Sequence, residues 1–490
     1  MPKFDILHRR TGEVIFAGRA GSLKELVQSA VRSGLDASIS KLVAAKLGLK
    51  KQTKIKFFGA DLSGKDLSEI DLTEGDFSGA DLSQANLEGS CLKEATLTRA
   101  DLKAANFSRA TLTGVDFTEA NLAGANFTKA IVDTANFAAA DLSGADLAGT
   151  KLSRATFAKA NLSGARLTSS DFSRAQLVAL NLTKADLSWA IFTRANLAQA
   201  NLSEANLERA DFSGATLLGA DLSGANLTQT NLEGCDLSGA KLDRADLSGA
   251  NLSGAKLAKA RLVNARLDGA KLVRADLSGC DLTAANLTEA DISGANLSAG
   301  RFSKTIFSKA YMSGVTLAKA EMQNASLYKT NLAEANLAGA QLQNVDGRSA
   351  VMDKADLSGA NLSRGNFEEA SFQKSRMAGT VIIEANLSRA SLADADMTGV
   401  NAAKANFSGA ILQNVILDDA DLSNGIFCEA NLTGVRISRS SLAGADLSRA
   451  DFSWAFIDKA DFTHVKIGGT SMRGAKLTDV KGVKLKKKSV

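Results

Sequence analysis

Catalytic raw material is sparse in this chain of 490 residues. It has two histidines, His8 and His464, and four cysteines, Cys91, Cys235, Cys280 and Cys428. A histidine works as a general base only when a proton donor lies within hydrogen-bond reach, and as a metal ligand only among further ligands. His8 and His464 stand near opposite ends of the sequence with no such neighbours. The cysteines form no CxxC pair and read as reduced thiols of a cytosolic protein. Neither a P-loop nor a dinucleotide fingerprint occurs after a strand pattern. The 53 Asp and Glu residues could supply acid–base chemistry, but most recur at multiples of five. That spacing makes them members of a repeat. The expectation is a protein without catalytic residues, metal or cofactor.

The repeat that spaces them runs in one frame from Phe57 to Leu477, 85 pentads without insertion or deletion. A large apolar residue stands at all but two of the positions ending in 2 or 7, usually with Ala two before it and Asp or Asn one before it. A fixed short period signals a stacked, quasi-one-dimensional architecture. Strand alternation has period two, so five residues cannot be one continuous strand. The apolar centre and the preceding Ala can both face inward with Asp/Asn outward between them. The next two residues must then turn the chain, which suits Gly, Ser, Asn and Asp. The single proline, Pro2, lies outside the repeat, consistent with most amides joining a ladder.

The pattern A-(D/N)-L-X-X over residues 57–480 resembles the pentapeptide-repeat family. The resemblance implies an all-β fold, a right-handed quadrilateral parallel β-helix with four pentads per coil and about 21 coils, close to 100 Å long at ~4.8 Å per coil. Residues 20 apart would then stack. Phe117, Phe137 and Phe157 would form one internal ladder, and Phe172, Phe192 and Phe212 another. Asp61, Asp81 and Asp101 would form an outward column, read as structure and not as a metal site. At two centres, Gly347 and Ala402, a large side chain is missing. Phe367, one coil beyond Gly347, and Met397 and Phe407, flanking Ala402, are expected to fill the space partly.

Three segments follow. Residues 1–56 form a basic α+β cap: strands at 3–8 and 13–18, a helix from the capping-box pair Ser22 and Glu25 to Gly34, and a second helix over 36–47. This cap would cover the edge of the first coil. Residues 57–480 are the β-helix, and 481–490 are a basic tail. Net charge is +8 over 1–56, −8 over 57–480 and +5 over 481–490. No apolar run has transmembrane length, and the start lacks a signal-peptide core; the expected location is the cytoplasm.

Departures from the repeat nominate surfaces. Residues 57–95 carry a net −7, with Asp61, Asp66, Asp71, Asp76 and Asp81 as a candidate acidic patch. Candidate basic positions are Arg154, Arg174 and Arg194 in one column, and Lys241, Arg244, Lys256, Lys259, Arg261, Arg266, Lys271 and Arg274 within 241–274. Apolar residues replace outward Asp/Asn at Ile131, Ile191, Tyr311, Val351 and Ile411. Near the C-terminus, Ile411, Ile416, Ile426, Trp454 and Phe456 form a candidate protein-binding set, because clustered exposed apolar groups mark contacts. The expected function is an elongated interaction scaffold with a protein partner. The alternative, implied by the gyrase-protecting branch of the family, is a DNA mimic that binds a type II topoisomerase. The resemblance implies a C-terminal dimerisation module in gyrase-inhibiting members, which this sequence does not show; either the basic tail folds over the last coil or two copies abut there as an end-to-end homodimer. Magnitude weighs against the mimic: duplex DNA carries about one negative charge per 1.7 Å, far more than this body's −8.

Overall fold

The computed structural model describes residues 3–8, 14–19 and 57–482. It divides into two compact units, residues 1–246 and 247–490. The two expected N-terminal helices lie outside the described residues, as does the tail beyond residue 482. Among the described residues there is no helix.

One pentad shows how the chain builds both units. Ala80 and Leu82 are buried, while Asp81 between them faces outward. The Asp81 amide donates back to Ala60 O at 2.8 Å, and Asp81's neighbour Leu82 donates forward to Asp101 O at 2.7 Å. Parallel bridges therefore join residues 20 apart, such as Asp61↔Asp81 and Asp81↔Asp101, and four pentads close each coil. After Leu82 the chain turns. The Ala85 amide donates to Leu82 O at 3.0 Å, closing a four-residue turn, and Ser83 N–H donates to the Asp81 carboxylate at 3.0 Å. Gln84, third in the turn, has φ +57°. A positive φ there is the mark of a type II turn, which favours Gly or Asn. This chain instead places Lys, Arg, Glu and Gln at many such positions, for example Lys159, Arg174 and Glu204. Long polar side chains can reach solvent from a corner, and the neighbouring turns hold the backbone in register. The left-handed region costs a non-glycine residue roughly 1 kcal/mol.

In the first unit, β1 (Lys3–His8) and β2 (Val14–Arg19) form an antiparallel hairpin with a register shift between Ile6 and Leu7. The second strand lies one residue later than the sequence pattern suggests. β1 also pairs antiparallel with β3 (Ala60–Asp61) through Leu7↔Asp61 and His8↔Ala60. In the second unit the one-residue bridges lengthen at three successive coils into β4 (Arg436–Ser438), β5 (Phe456–Asp458) and β6 (Lys476–Thr478), a parallel sheet in the order β4-β5-β6. Each unit is a four-sided parallel β-helix, right-handed like other parallel crossovers.

The interior is a set of ladders. Phe117, Phe137 and Phe157 stack with ring centroids 5.0 and 5.1 Å apart, and Phe172, Phe192 and Phe212 at 4.9 and 4.6 Å, as expected. Outside, Asn amides link coils: Asn86 donates to Asp66, Asn106 to Asn86 and Asn126 to Asn106, at 3.0–3.1 Å. The expectation at Gly347 also holds, because the Phe367 ring occupies the space where a Cβ would stand. The same ring lies against Gly365, two residues before it, so Ala cannot take its usual place there. Ala402, Met397 and Phe407 are all fully buried. Where Ser or Thr replaces the inward Ala, its hydroxyl bonds a carbonyl, as Ser90 does to Leu87 O and Thr330 to Phe307 O, both at 2.7 Å. That satisfies a polar group that burial would otherwise penalise.

Two substitutions test this account by urea denaturation. Gly365→Ala drives a methyl into the Phe367 ring and is expected to destabilise by about 1–3 kcal/mol. Thr134→Gly relieves a β-branched residue at φ +58° and is expected to stabilise by about 1 kcal/mol; an unchanged midpoint for both would contradict the turn geometry described.

Candidate functional site

The four-sided coil decides which candidate residues meet. Asp61, Asp66, Asp71 and Asp76 belong to four successive pentads and so to four different sides. Only Asp61 and Asp81 share a column, which Asp101 continues. The acidic set is thus a collar around the first coil with one short stripe, and not one face. The basic positions are likewise dispersed. In the first unit Lys241 stacks on Asp221 and pairs with it at 3.8 Å, while Arg244 stands at the next corner. In the second unit Arg261, Arg266, Lys271 and Lys256 bridge onward to Asp281, Asn286, Asp291 and Asp276, four different columns. Lys259 and Arg274 stand at turn corners with positive φ. Arg154, Arg174 and Arg194 do occupy one column of the first unit, all exposed.

Elsewhere many outward charges pair between neighbouring coils. Arg99 pairs with Glu119 at 2.7 Å, Arg301 with Asp281 at 2.8 Å, and Arg376 with Asp356 at 2.6 Å, each 20 residues apart. Such surface pairs contribute little individually, under about 1 kcal/mol.

The cysteines and histidine of the described residues sit in unreactive settings. Burial pushes the Cys235 thiol up to about 12 and the Cys280 thiol higher still, so both stay protonated and inert. His464 sits exposed at a corner. Among the described residues no cluster of His, Cys, Asp and Glu could hold a metal ion. A shallow open depression over Gly224 is lined by Ser203, Glu204, Asp221, Ser223 and Arg244, but Glu204 and Asp221 already face Lys184 and Lys241.

The second unit holds the clearest departure from the repeat. Trp454 and Phe456 are 65% and 47% exposed. Phe456 stands in a bridged column between Arg436 and Lys476, with Ile416 one coil before Arg436. The Trp454 indole lies over Gly474 of the next coil. Ile411 belongs to the adjacent column with Asn431 and Asp451, whereas Ile426 lies between Asn406 and Asp446 on another side. Ile416, Trp454 and Phe456 therefore form one surface with Ile411 at its margin, and Ile426 is separate. Sequence reading missed Asp418. Asp418 is only 5% exposed; one carboxylate oxygen accepts from the Arg436 guanidinium, and the other has no partner among the described residues. The signal was legible: Asp follows the centre Leu417 where the repeat usually has Ser, Thr or Ala.

The outward carboxylates are turn-builders. Asp446 accepts from the Ser448 hydroxyl at 2.6 Å and the Ser448 amide at 3.1 Å, and these bonds, with Lys466 nearby, hold its carboxyl down at about 2. The Ser453 hydroxyl and amide lower Asp451, and the Thr463 amide lowers Asp461. A carboxyl whose folded value is depressed stabilises the fold above its unfolded value near 4. That stabilisation is lost as pH falls from about 4 towards 2. The urea midpoint is therefore expected to drop over this window, and Asp446→Asn, which keeps an acceptor but no titration, should reduce the drop. An acid-independent midpoint would contradict these turn bonds.

Comparison with known proteins sets this geometry in context. The family model "Pentapeptide repeats" matches successive segments between residues 53 and 463 with only short gaps. Comparison with curated protein sequences finds no match. Among solved structures, HetL, a pentapeptide repeat protein involved in heterocyst differentiation regulation in the cyanobacterium Nostoc sp. strain PCC 7120, is 27% identical over 51% of this chain and 86% of its own, with a TM-score of 0.17. QnrB1, a plasmid-mediated fluoroquinolone resistance protein, is 20% identical over 36% of this chain and 86% of its own, with a TM-score of 0.26. A pentapeptide repeat protein from the Arabidopsis thaliana thylakoid lumen is 35% identical over 24% of this chain and 66% of its own, with a TM-score of 0.16.

Proposed function

The chain belongs to the pentapeptide-repeat family, and from that premise we propose that it is a non-enzymatic scaffold that binds protein partners through its outer faces. The observation that carries this reading is the exposure of Phe456 beside Arg436 on the β4–β6 sheet and of Trp454 at the turn that leads into β5. Tryptophan and arginine are the residue types most enriched among side chains that dominate binding energy, and aromatic groups anchor them. Exposing two large aromatic rings to water is unfavourable unless a partner covers them. Phe456 is outward where the repeat would place Asp or Asn, so its exposure is not required by the coil.

The reading needs no concave site. Outward residues repeat at one coil rise, ~4.8 Å, and each side offers a ruled surface whose side-chain identities alone distinguish one stretch from the next. The DNA-mimic alternative asks for a continuous acidic face. The collar at Asp61, Asp66, Asp71 and Asp76 spreads its charge over four sides, which favours the scaffold.

The test is affinity capture from lysate of the source cell with the wild-type chain and with the Trp454→Ala/Phe456→Ala variant. The proposal expects at least one protein retained by the wild type and lost by the variant, a reduction of ten-fold or more for an anchor pair, while thermal unfolding is unchanged. Identical retained sets would remove this surface from the proposal.

A further inference from the structure

Along the corner columns, where the turn residues with positive φ stack coil on coil, many charged side chains pair with the next coil. Arg99 pairs with Glu119, Lys184 with Glu204, Lys309 with Glu289, and Arg449 with Glu429. One corner of the first unit departs from this. Arg154, Arg174 and Arg194 follow one another there, all exposed, and none has an ion-pair partner among the described residues. Asp171 and Asp211, in the column just before this corner, are committed to the turns: Asp171 accepts from the Ser173 amide and hydroxyl, and Asp211 from the Ser213 amide and the Thr193 hydroxyl. Like charges one coil rise apart, ~4.8 Å, repel one another, so the ridge gains from an external anionic group.

The side of the coil that follows this corner complements it. Over four coils it comprises residues 154–159, 174–179, 194–199 and 214–219, and none of these is acidic. Its bridged column is Thr156, Gln176, Asn196 and Thr216. The Thr156 hydroxyl donates to Asn136 at 2.7 Å and the Asn196 amide to Gln176 at 3.1 Å, so covering this column strands no charge. Beyond it stand Ala158, Val178, Ala198 and Leu218, with Val178 45% and Leu218 49% exposed. The one further charge, Lys159, has the sign of the arginines. One edge of this side is therefore cationic, its middle neutral and its other edge apolar.

We propose that this side binds an acidic amphipathic α-helix of a protein partner, lying along the coil axis with carboxylates on Arg154, Arg174 and Arg194 and an apolar stripe on Val178 and Leu218. The inference rests on the scaffold reading and uses a surface that shares no residue with Trp454 and Phe456. Spacing selects a helix. At ~1.5 Å per residue, carboxylates at i, i+4 and i+7 span ~10.5 Å, against ~9.6 Å for three arginines on successive coils. An extended strand offers a same-side residue every ~6.7 Å, hence ~13.4 Å for three, and falls out of step. Width agrees: from Arg174 to Val178 the extended chain covers at most ~13 Å, enough to seat a helix ~10–12 Å across. The guanidinium fork takes a carboxylate through two parallel hydrogen bonds. Single-stranded nucleic acid would meet the arginines but leave the apolar edge unused, and this side has no exposed aromatic ring on which a base could stack.

The probe is a synthetic peptide of about 18 residues, long enough to hold a helix, with Glu at i, i+4, i+7 and i+11, Leu at i+1, i+5, i+8 and i+12, and Ala and Gln elsewhere. Its control has the same composition with the glutamates spread round the helix. Fluorescence anisotropy with the full chain is expected to show the probe binding about ten-fold or more tighter than the control. Arg154→Glu/Arg174→Glu/Arg194→Glu should abolish that binding, and Val178→Gln/Leu218→Gln should weaken it by about five-fold or more. A second probe with Lys in place of Glu should bind the triple variant and not the wild type, which separates charge reversal from misfolding. Equal affinity for probe and control, no binding of either, a probe indifferent to the three arginines, or a triple variant that ignores the lysine probe would each overturn the proposal. So would a single-stranded oligonucleotide that binds the arginines more tightly than the probe does and takes nothing from Val178 and Leu218. Trp454→Ala/Phe456→Ala should bind the probe as the wild type does, so failure here and failure of the scaffold surface at Trp454 and Phe456 are read separately.

Discussion

A side of the coil has only five residues in which to run straight and turn through a corner. Two of the five point inward, one points outward between them, and two make the turn. Every other feature of the described chain follows from keeping that division in register with the pentad 20 residues away. The inward pair must be one large and one small residue, hence the apolar centre and the Ala before it. The outward residue must help to close the turn, hence Asp and Asn, whose side chains accept the amide two residues on. The last turn residue must take a positive φ, whatever its identity. The ladder across coils supplies the hydrogen bonds that a five-residue segment could not keep in water by itself.

This constraint also explains where function can reside. Inward positions, corner backbone and the Asx acceptors are committed to the coil. Only the identities of outward and corner side chains are free, and many of these are used in pairs between neighbouring coils. Trp454 and Phe456 are free in this sense, which is why the proposed function rests on them. The inert thiols of Cys235 and Cys280 show the converse: a chemically interesting residue placed at an inward position is reduced to packing.

Much of the fold was legible in the residues because stacking turns sequence distance into spatial distance. The phenylalanine ladders and the filling of Gly347 by Phe367 follow from a separation of 20 alone. Other features were not. Nothing in a lysine or glutamate announces a left-handed backbone, which the neighbouring turns impose. The reason for glycine at 365 appears only once the Phe367 ring is seen leaning on it. The acidic and basic sets looked like patches because their members are close in sequence, yet four-fold winding sends consecutive pentads to different sides. Asp418 was overlooked because it stands at a turn position normally open to water, whereas the widened β4–β6 stretch buries it.

The account depends most directly on the 20-residue coil, and paired cysteines measure it. Asn206→Cys with Asn226→Cys places two thiols in one bridged column, within the Cα separation that a disulfide accepts. Asn206→Cys with Thr216→Cys places them two sides apart on the coil. Mild oxidation should cross-link the first pair within a single chain and leave the second reduced. Cross-linking of the second pair in preference to the first would mean that four pentads do not make a coil, and would contradict the architecture on which the proposed surfaces stand.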